Sequence, residues 1–221
     1  MLRRAFALTL ALVLIPALLA EEPKPAAQPA ADKEKWESLF DGKTLEGWKS
    51  TDFGGQGEVE VKDGQIILNM GQPLTGITWQ KKDKLPKENY EITLQAMKRK
   101  GDDFFCGITF PVRESHASFI VGGWGGSLVG LSSINDLDAS ENETTDYAKL
   151  EHNKWYKIRV RVTKDKIECW LNDKQMVDVA TKDKKISTRI EVDANKPLGI
   201  ASFNVEAALK DIKIRRLDEA K

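Results

Sequence analysis

Two cysteines and two histidines are all that 221 residues supply of the side chains that most often bind zinc. Cys106 and Cys169 stand far apart, and no spacing among these four residues builds a zinc site. Each cysteine sits on the apolar side of an alternating run. A disulfide formed in an oxidising compartment and a pair of buried free thiols are therefore both open. A surplus of one charge is also missing, since 34 Lys and Arg face 34 Asp and Glu. Holding a nucleic-acid backbone needs a basic excess, so dedicated nucleic-acid binding is excluded. The chain carries no G-x-S-x-G elbow, Walker loop, H-E-x-x-H or dinucleotide fingerprint. It shows no long amphipathic helix and no repeat of fixed period, which disfavours propellers and solenoids.

The one long apolar run comes first. Met1-Leu2-Arg3-Arg4 is a short basic region, Ala5 to Leu19 is broken only by Thr9 and Pro16, and Ala20 precedes Glu21-Glu22-Pro23. The run is short for a bilayer span and a polar segment follows at once, so residues 1–20 read as a secretory signal peptide. No cysteine near the cleavage point offers a lipid attachment site. Loss of Arg3 and Arg4 leaves 32 basic against 34 acidic residues. The expectation is an exported protein, periplasmic or extracellular, with no stable membrane span once the signal is cleaved. Residues 21–35, EEPKPAAQPAADKEK, read as a flexible Pro/Ala-rich linker. Residues 36–218 read as one domain.

Within that domain the dominant period is two. Tyr90, Ile92, Leu94 and Ala96 alternate with Glu91, Thr93 and Gln95, and Phe104, Cys106, Ile108 and Phe110 share a face. Tyr156, Ile158, Val160 and Val162 face in while Lys157, Arg159 and Arg161 face out. Asp63-Gly64 and Asn172-Asp173 interrupt such runs where hairpin turns belong. Two sheets with one apolar face each must bury those faces together, so the pattern predicts an all-β antiparallel sandwich or jelly roll.

The opening Leu39-Phe40-Asp41-Gly42-Lys43-Thr44-Leu45-Glu46-Gly47-Trp48 resembles that of the 3-keto-disaccharide hydrolase domain family. In the same order follow Val61-Lys62-Asp63-Gly64, Tyr90-Glu91-Ile92, Lys154-Trp155-Tyr156-Lys157-Ile158, Trp170-Leu171-Asn172, Pro197-Leu198-Gly199-Ile200 and Leu209 to Arg215. The resemblance spans residues 39–217 and implies a concanavalin A-like sandwich. It further implies an exported protein that cleaves 3-keto-glycosides, by elimination and hydration or by hydrolysis. The alternative is a non-catalytic, lectin-like carbohydrate-binding module of the cell envelope. Three segments depart from the family pattern: Phe105 to Pro111, where an Asn and an Arg are absent, Ser118 to Val121, and Ala201 to Asn204.

Residues 121–147 are the least ordinary stretch, with four glycines around Trp124 followed by a dense run of carboxylates and amides. Glycines admit close backbone approach, aromatic rings suit sugar C–H faces, and amides bond hydroxyls. Trp124, Asn135, Asn142 and Trp170 are accordingly the expected substrate-binding residues. Asp136, Asp138 and Glu143 are the expected ligands of a divalent metal, Ca²⁺ or another hard cation. His116 is the expected catalytic base, Glu114 its orienter, and Glu141 a carboxylate for acid–base work. A solvated acidic loop is the competing reading of 135–146. Asp102 and Asp103 are expected to solubilise a hairpin end.

Overall fold

The computed structural model describes residues 35–218. The expected signal peptide and all of the expected linker except Lys35 lie outside the described residues. Fifteen strands follow in chain order among them. The first eight are β1 (Glu37–Ser38), β2 (Trp48–Ser50), β3 (Val59–Lys62), β4 (Gln65–Leu68), β5 (Leu74–Trp79), β6 (Tyr90–Lys100), β7 (Cys106–Val112) and β8 (Ser115–Gly122). The rest are β9 (Leu128–Ser132), β10 (Asp146–Tyr147), β11 (Trp155–Val162), β12 (Lys166–Leu171), β13 (Lys174–Ala180), β14 (Gly199–Phe203) and β15 (Glu206–Arg216). One sheet runs β13-β12-β11-β6-β15-β4-β3, with β1 added on β15, and the other runs β10-β9-β8-β7-β14-β5-β2. All pairings between these strands are antiparallel. The all-β sandwich predicted from the period of two is the fold. No helix among the described residues is long and apolar enough to cross a membrane.

The two sheets differ in what covers them. In the first sheet β11 alternates buried with more exposed positions, as expected where one face meets water. In the second sheet every residue of β5, β7 and β9 is buried, so its outer face is covered as well. Between the sheets lies the core, which includes Ile92, Leu94, Ile108, Phe110, Phe119 and Ile158. Cys106 and Cys169 both point into it as free thiols, and burial pushes each well above the ordinary thiol range, which leaves them unreactive. The opening segment of the domain is architectural. Asp41 accepts hydrogen bonds from the backbone of Thr44 and Lys43 at 2.8 Å, which hold its carboxyl below the usual range. This turn delivers Trp48 edge-on to Trp79, with ring centres 5.0 Å apart. At the β3–β4 hairpin, Asp63 and Gly64 both take positive φ, as a two-residue turn demands.

On the outer face of the first sheet Glu91 is fully buried beneath three arginines. It accepts from Arg159 at 3.1 Å, from Arg161 at 2.6 Å and from Arg215 Nε at 2.7 Å. Arg159 in turn lies 3.6 Å from the centre of the Trp170 ring. Burial alone raises the Glu91 pKa, but the hydrogen bonds and charges of Arg161 and Arg215 outweigh it and hold the carboxyl below the usual carboxylate range. A depressed folded-state pKa stabilises above the unfolded value and loses that contribution as pH falls through the folded one. Glu91→Gln leaves three guanidiniums without their anion and is expected to cost about 3 kcal/mol at neutral pH. In urea titrations at descending pH, the gap between wild type and variant should close below the carboxylate range.

Candidate functional site

The outer face of the second sheet carries three rows of residues set by strand register. The first is Leu74 opposite Phe203. The second consists mainly of very small residues, Gly76, Ala201, Gly107 and Gly130, with Ile120 the one large side chain among them. The third is polar: Thr78, Gly199, Thr109, Ser118 and Ser132 are neighbours across five strands. From these rows Leu74, Phe203, Ile120, Ser118 and Ser132 line a cleft of about 270 Å³. Phe104, Trp124 and Phe203 supply its aromatic surface, and Asp103, Arg189 and Glu191 stand at its edge.

Local structure places each wall. Trp124 is held in the left-handed region, φ 48° and ψ 57°, and the nearby Gly122 and Gly125 also take positive φ. A bulky residue rarely adopts that backbone, and here it leaves the ring 45 % exposed at the cleft. Asp103 fastens this turn: its carboxylate accepts from its neighbour Phe104 N at 2.7 Å and from Gly125 N at 3.4 Å. The opposite wall is the strap formed by residues 188–196. Val192 turns down from it onto Leu74 and Ala201. Arg189 donates to Glu191 at 2.8 Å and to Asp138 at 2.5 Å, joining the strap to the 133–145 loop. The Arg189 hydrogen bonds hold Glu191 below its ordinary range, and Glu191 in return raises Arg189.

Among the expected binding residues, Trp124 lies in the cleft. Trp170 lies on the outer face of the other sheet, where Arg159 and Arg161 cover its ring. A groove of about 310 Å³ on that face is lined by Trp36, Lys157 and Lys213 among others. The Trp36 ring there is likewise stacked by Arg215, 4.7 Å from its centre. Asn142 is consumed by its own loop. Its amide nitrogen donates to Leu131 O, Leu137 O and Asp138 O, and its oxygen accepts from Thr144 N and Oγ1. Asn135 likewise accepts from Lys185 N.

The expected metal ligands are not gathered. Asp136 pairs with Lys185, Asp138 with Arg189 and Glu143 with Lys184. Among the described residues no group of three or more His, Cys, Asp or Glu side chains converges on a cation position. A hard cation needs several converging oxygens, and these carboxylates each neutralise a separate base instead, so the residues present do not fit it. Glu141 is exposed on the same loop. Glu114 binds Lys87 at 2.7 Å, where the hairpin turn carries it away from the sheet face, and does not orient His116. His116 itself is half-buried on the cleft face of β8, two residues from Ser118. Burial, then the Lys196 charge, lowers its pKa, with Asp193 opposing, so its imidazole is neutral at pH 7.

Nothing in the sequence period singled out Arg189, Glu191 or Phe203. Phe104, expected to share the face of Cys106, Ile108 and Phe110, precedes β7 and lines the cleft instead, while those three lie in the core between the sheets. The strap has no period that distinguishes it from a connecting loop. The nearest signal lay in the departures from the family pattern at Ser118–Val121 and Ala201–Asn204, because β8 and β14 contribute Ser118, Ile120 and Phe203 to the cleft.

Fold and site together define a concanavalin A-like sandwich with a ligand-sized cleft on one sheet. The chain belongs to the 3-keto-alpha-glucoside-1,2-lyase-like domain family, whose model matches residues 35–215. No curated protein matches it in sequence. Among solved structures it is similar to a putative glycosyl hydrolase from Parabacteroides distasonis, at 16% identity and TM-score 0.53, covering 84% of this chain and 95% of that one. It is similar to domain 4 of AbnA, an extracellular arabinanase from Geobacillus stearothermophilus, in complex with arabinotriose, at 14% identity and TM-score 0.52, covering 83% and 91%. A protein with a galectin-like fold from Bacillus subtilis matches at 10% identity and TM-score 0.54, covering 82% and 94%. At these identities the likeness is one of fold. The domain is carbohydrate-related by family.

Arg189→Met removes the clamp between strap and loop. We expect a loss of about 1 kcal/mol or less in global stability, with amide exchange rising selectively in residues 133–145.

Proposed function

We propose that this chain is an exported domain that binds a glycoside in the cleft of the second sheet, the sugar belonging to the 3-keto class. Support for export comes from the basic and apolar residues 1–20. Support for the sugar class comes from family membership. One observation carries binding over turnover. Arg189 and Glu191 at the cleft edge are already paired, and Asp103 is engaged with backbone N–H groups, so none of them is a free acid or base. What remains is an aromatic and apolar surface beside a row of hydroxyls, the composition that recognises a sugar. The arabinotriose seated on the related arabinanase domain is consistent with that use of the fold.

A second reading, turnover, is favoured by His116. A ketone at C3 acidifies the C2 proton. A base removes it, the electron pair forms the C1–C2 double bond, and the C1–O bond breaks with the leaving alkoxide taking up a proton. Water added across that double bond completes the cleavage. His116 is half-buried on the same face of β8 as the cleft residues Ser118 and Ile120, with its pKa lowered by burial, though it does not itself line the cleft.

The protein should be incubated with methyl 3-keto-glucosides and their unoxidised parents and followed by NMR. Line broadening of the sugar without product supports binding. Turnover of the 3-keto compounds alone moves the conclusion to the lyase. No response from any sugar sinks both. Should turnover occur, His116→Gln is expected to abolish it. The rate should then fall at a lower pH than an unperturbed imidazole would dictate, because the folded pKa is depressed.

A further inference from the structure

Strand register lays three rows of side chains across β11, β6 and β15 on the outer face of the first sheet. Arg161, Glu91 and Arg215 make the first row, Arg159, Thr93 and Lys213 the second, and Lys157, Gln95 and Lys210 the third. A base therefore stands at both ends of every row. The two basic rails lie two strand spacings apart, roughly 10 Å, and successive rows on β11 are two residues apart, roughly 7 Å.

The rows differ in what stands between the rails. In the first it is Glu91, the buried carboxylate that accepts from Arg161, from Arg215 and, out of the second row, from Arg159. In the second and third rows the middle residue is neutral. There the face opens into the groove of about 310 Å³, whose lining includes Thr93, Gln95, Lys157, Arg159 and Lys213. Lys157, Lys210 and Lys213 have no carboxylate within ion-pairing distance among the described residues. Lys210 lies 4.1 Å from the centre of the Trp155 ring, a contact that leaves its charge uncompensated. The acid in the groove lining is Asp211, set there by the bulge between Lys210 and Lys213, and it accepts from Gln95 Nε2 at 2.7 Å. One carboxylate against Lys157, Arg159 and Lys213 leaves the groove net positive.

We infer that this groove binds an acidic polysaccharide, whose carboxylates take in the second and third rows the place that Glu91 takes in the first. The first row is the template: two bases across a central strand, with a carboxylate between them accepting from both sides. The protein supplies that anion once and leaves the next two rows to a ligand. Two things favour a sugar polymer over a nucleic acid. Trp36 lines the same groove and offers an aromatic surface to sugar C–H groups, and the domain is carbohydrate-related by family. The groove lies across the sandwich from the cleft, so the inference is independent of what the cleft binds.

The test uses the protein with a galacturonic acid oligosaccharide, the methyl ester of that oligosaccharide and a DNA oligonucleotide as probes. The acidic oligosaccharide is expected to bind, to shift the backbone amides of Thr93, Gln95 and Lys157 and the Trp36 indole, and to bind more weakly as salt is raised. The ester keeps the sugars and loses the charge, so it should bind about tenfold more weakly or worse, and DNA should bind no better than the ester. Lys157→Gln combined with Lys213→Gln is expected to leave the melting temperature unchanged and to weaken the acidic oligosaccharide by about tenfold or more. Thr93→Glu places a fixed carboxylate in the second row and should abolish binding. An acidic oligosaccharide that does not bind, or an ester that binds as tightly, overturns the proposal. DNA that binds as tightly as the oligosaccharide overturns it in favour of a general polyanion surface. Binding that the double lysine variant leaves untouched, or shifts that fall in the cleft of the second sheet, also overturns it.

Discussion

A sheet buried on both faces is the constraint on which the rest of this structure depends. Such a sheet cannot place charged side chains on either side without desolvating them, and the second sheet accordingly carries apolar residues inward and small or hydroxyl residues outward. Rows of glycine, alanine, serine and threonine leave room above the backbone, and the strap, the 101–105 turn and the glycine turn around Trp124 fill part of it. The cleft is what they leave unfilled. Charge is thereby driven to the loops and to the outer face of the first sheet, where Glu91 and its arginines spend it on each other.

This division explains why the richest cluster of carboxylates in the sequence forms no site of its own. The 133–145 loop must be fastened beside the cleft, and it is fastened by ion pairs: Asp136, Asp138 and Glu143 each meet a basic residue of the 184–189 segment. Asn142 closes the loop on itself from within. Density of oxygen ligands in one dimension became a chain of separate contacts in three. The loop holds Arg189 and the strap in place beside the cleft.

The architecture was legible because it obeys local rules. Tyr90 to Ala96 and Tyr156 to Val162 alternate as half-buried strands must, and Asp63-Gly64 and Asn172-Asp173 carry the turn chemistry their hairpins need. The position of Trp124 at the cleft was legible for a related reason, since an aromatic among glycines stands out at the level of sequence. Trp170 shows the limit of the same argument. Its alternation correctly put it on an outer face but did not say which sheet's, and the arginines that stack on it come from a neighbouring strand. The places of Arg189 and Phe203 at the cleft were not legible, because they arise from long-range register and from a strap without periodicity.

The proposed ligand site is the outer face of the second sheet. A backbone amide shift map recorded during titration with a methyl 3-keto-glucoside tests it most directly. Perturbations are expected to cluster at Phe104, Ser118, Trp124, Ser132 and residues 189–195. Perturbations centred instead on Trp36, Arg159 and Trp170, across the sandwich, would contradict it.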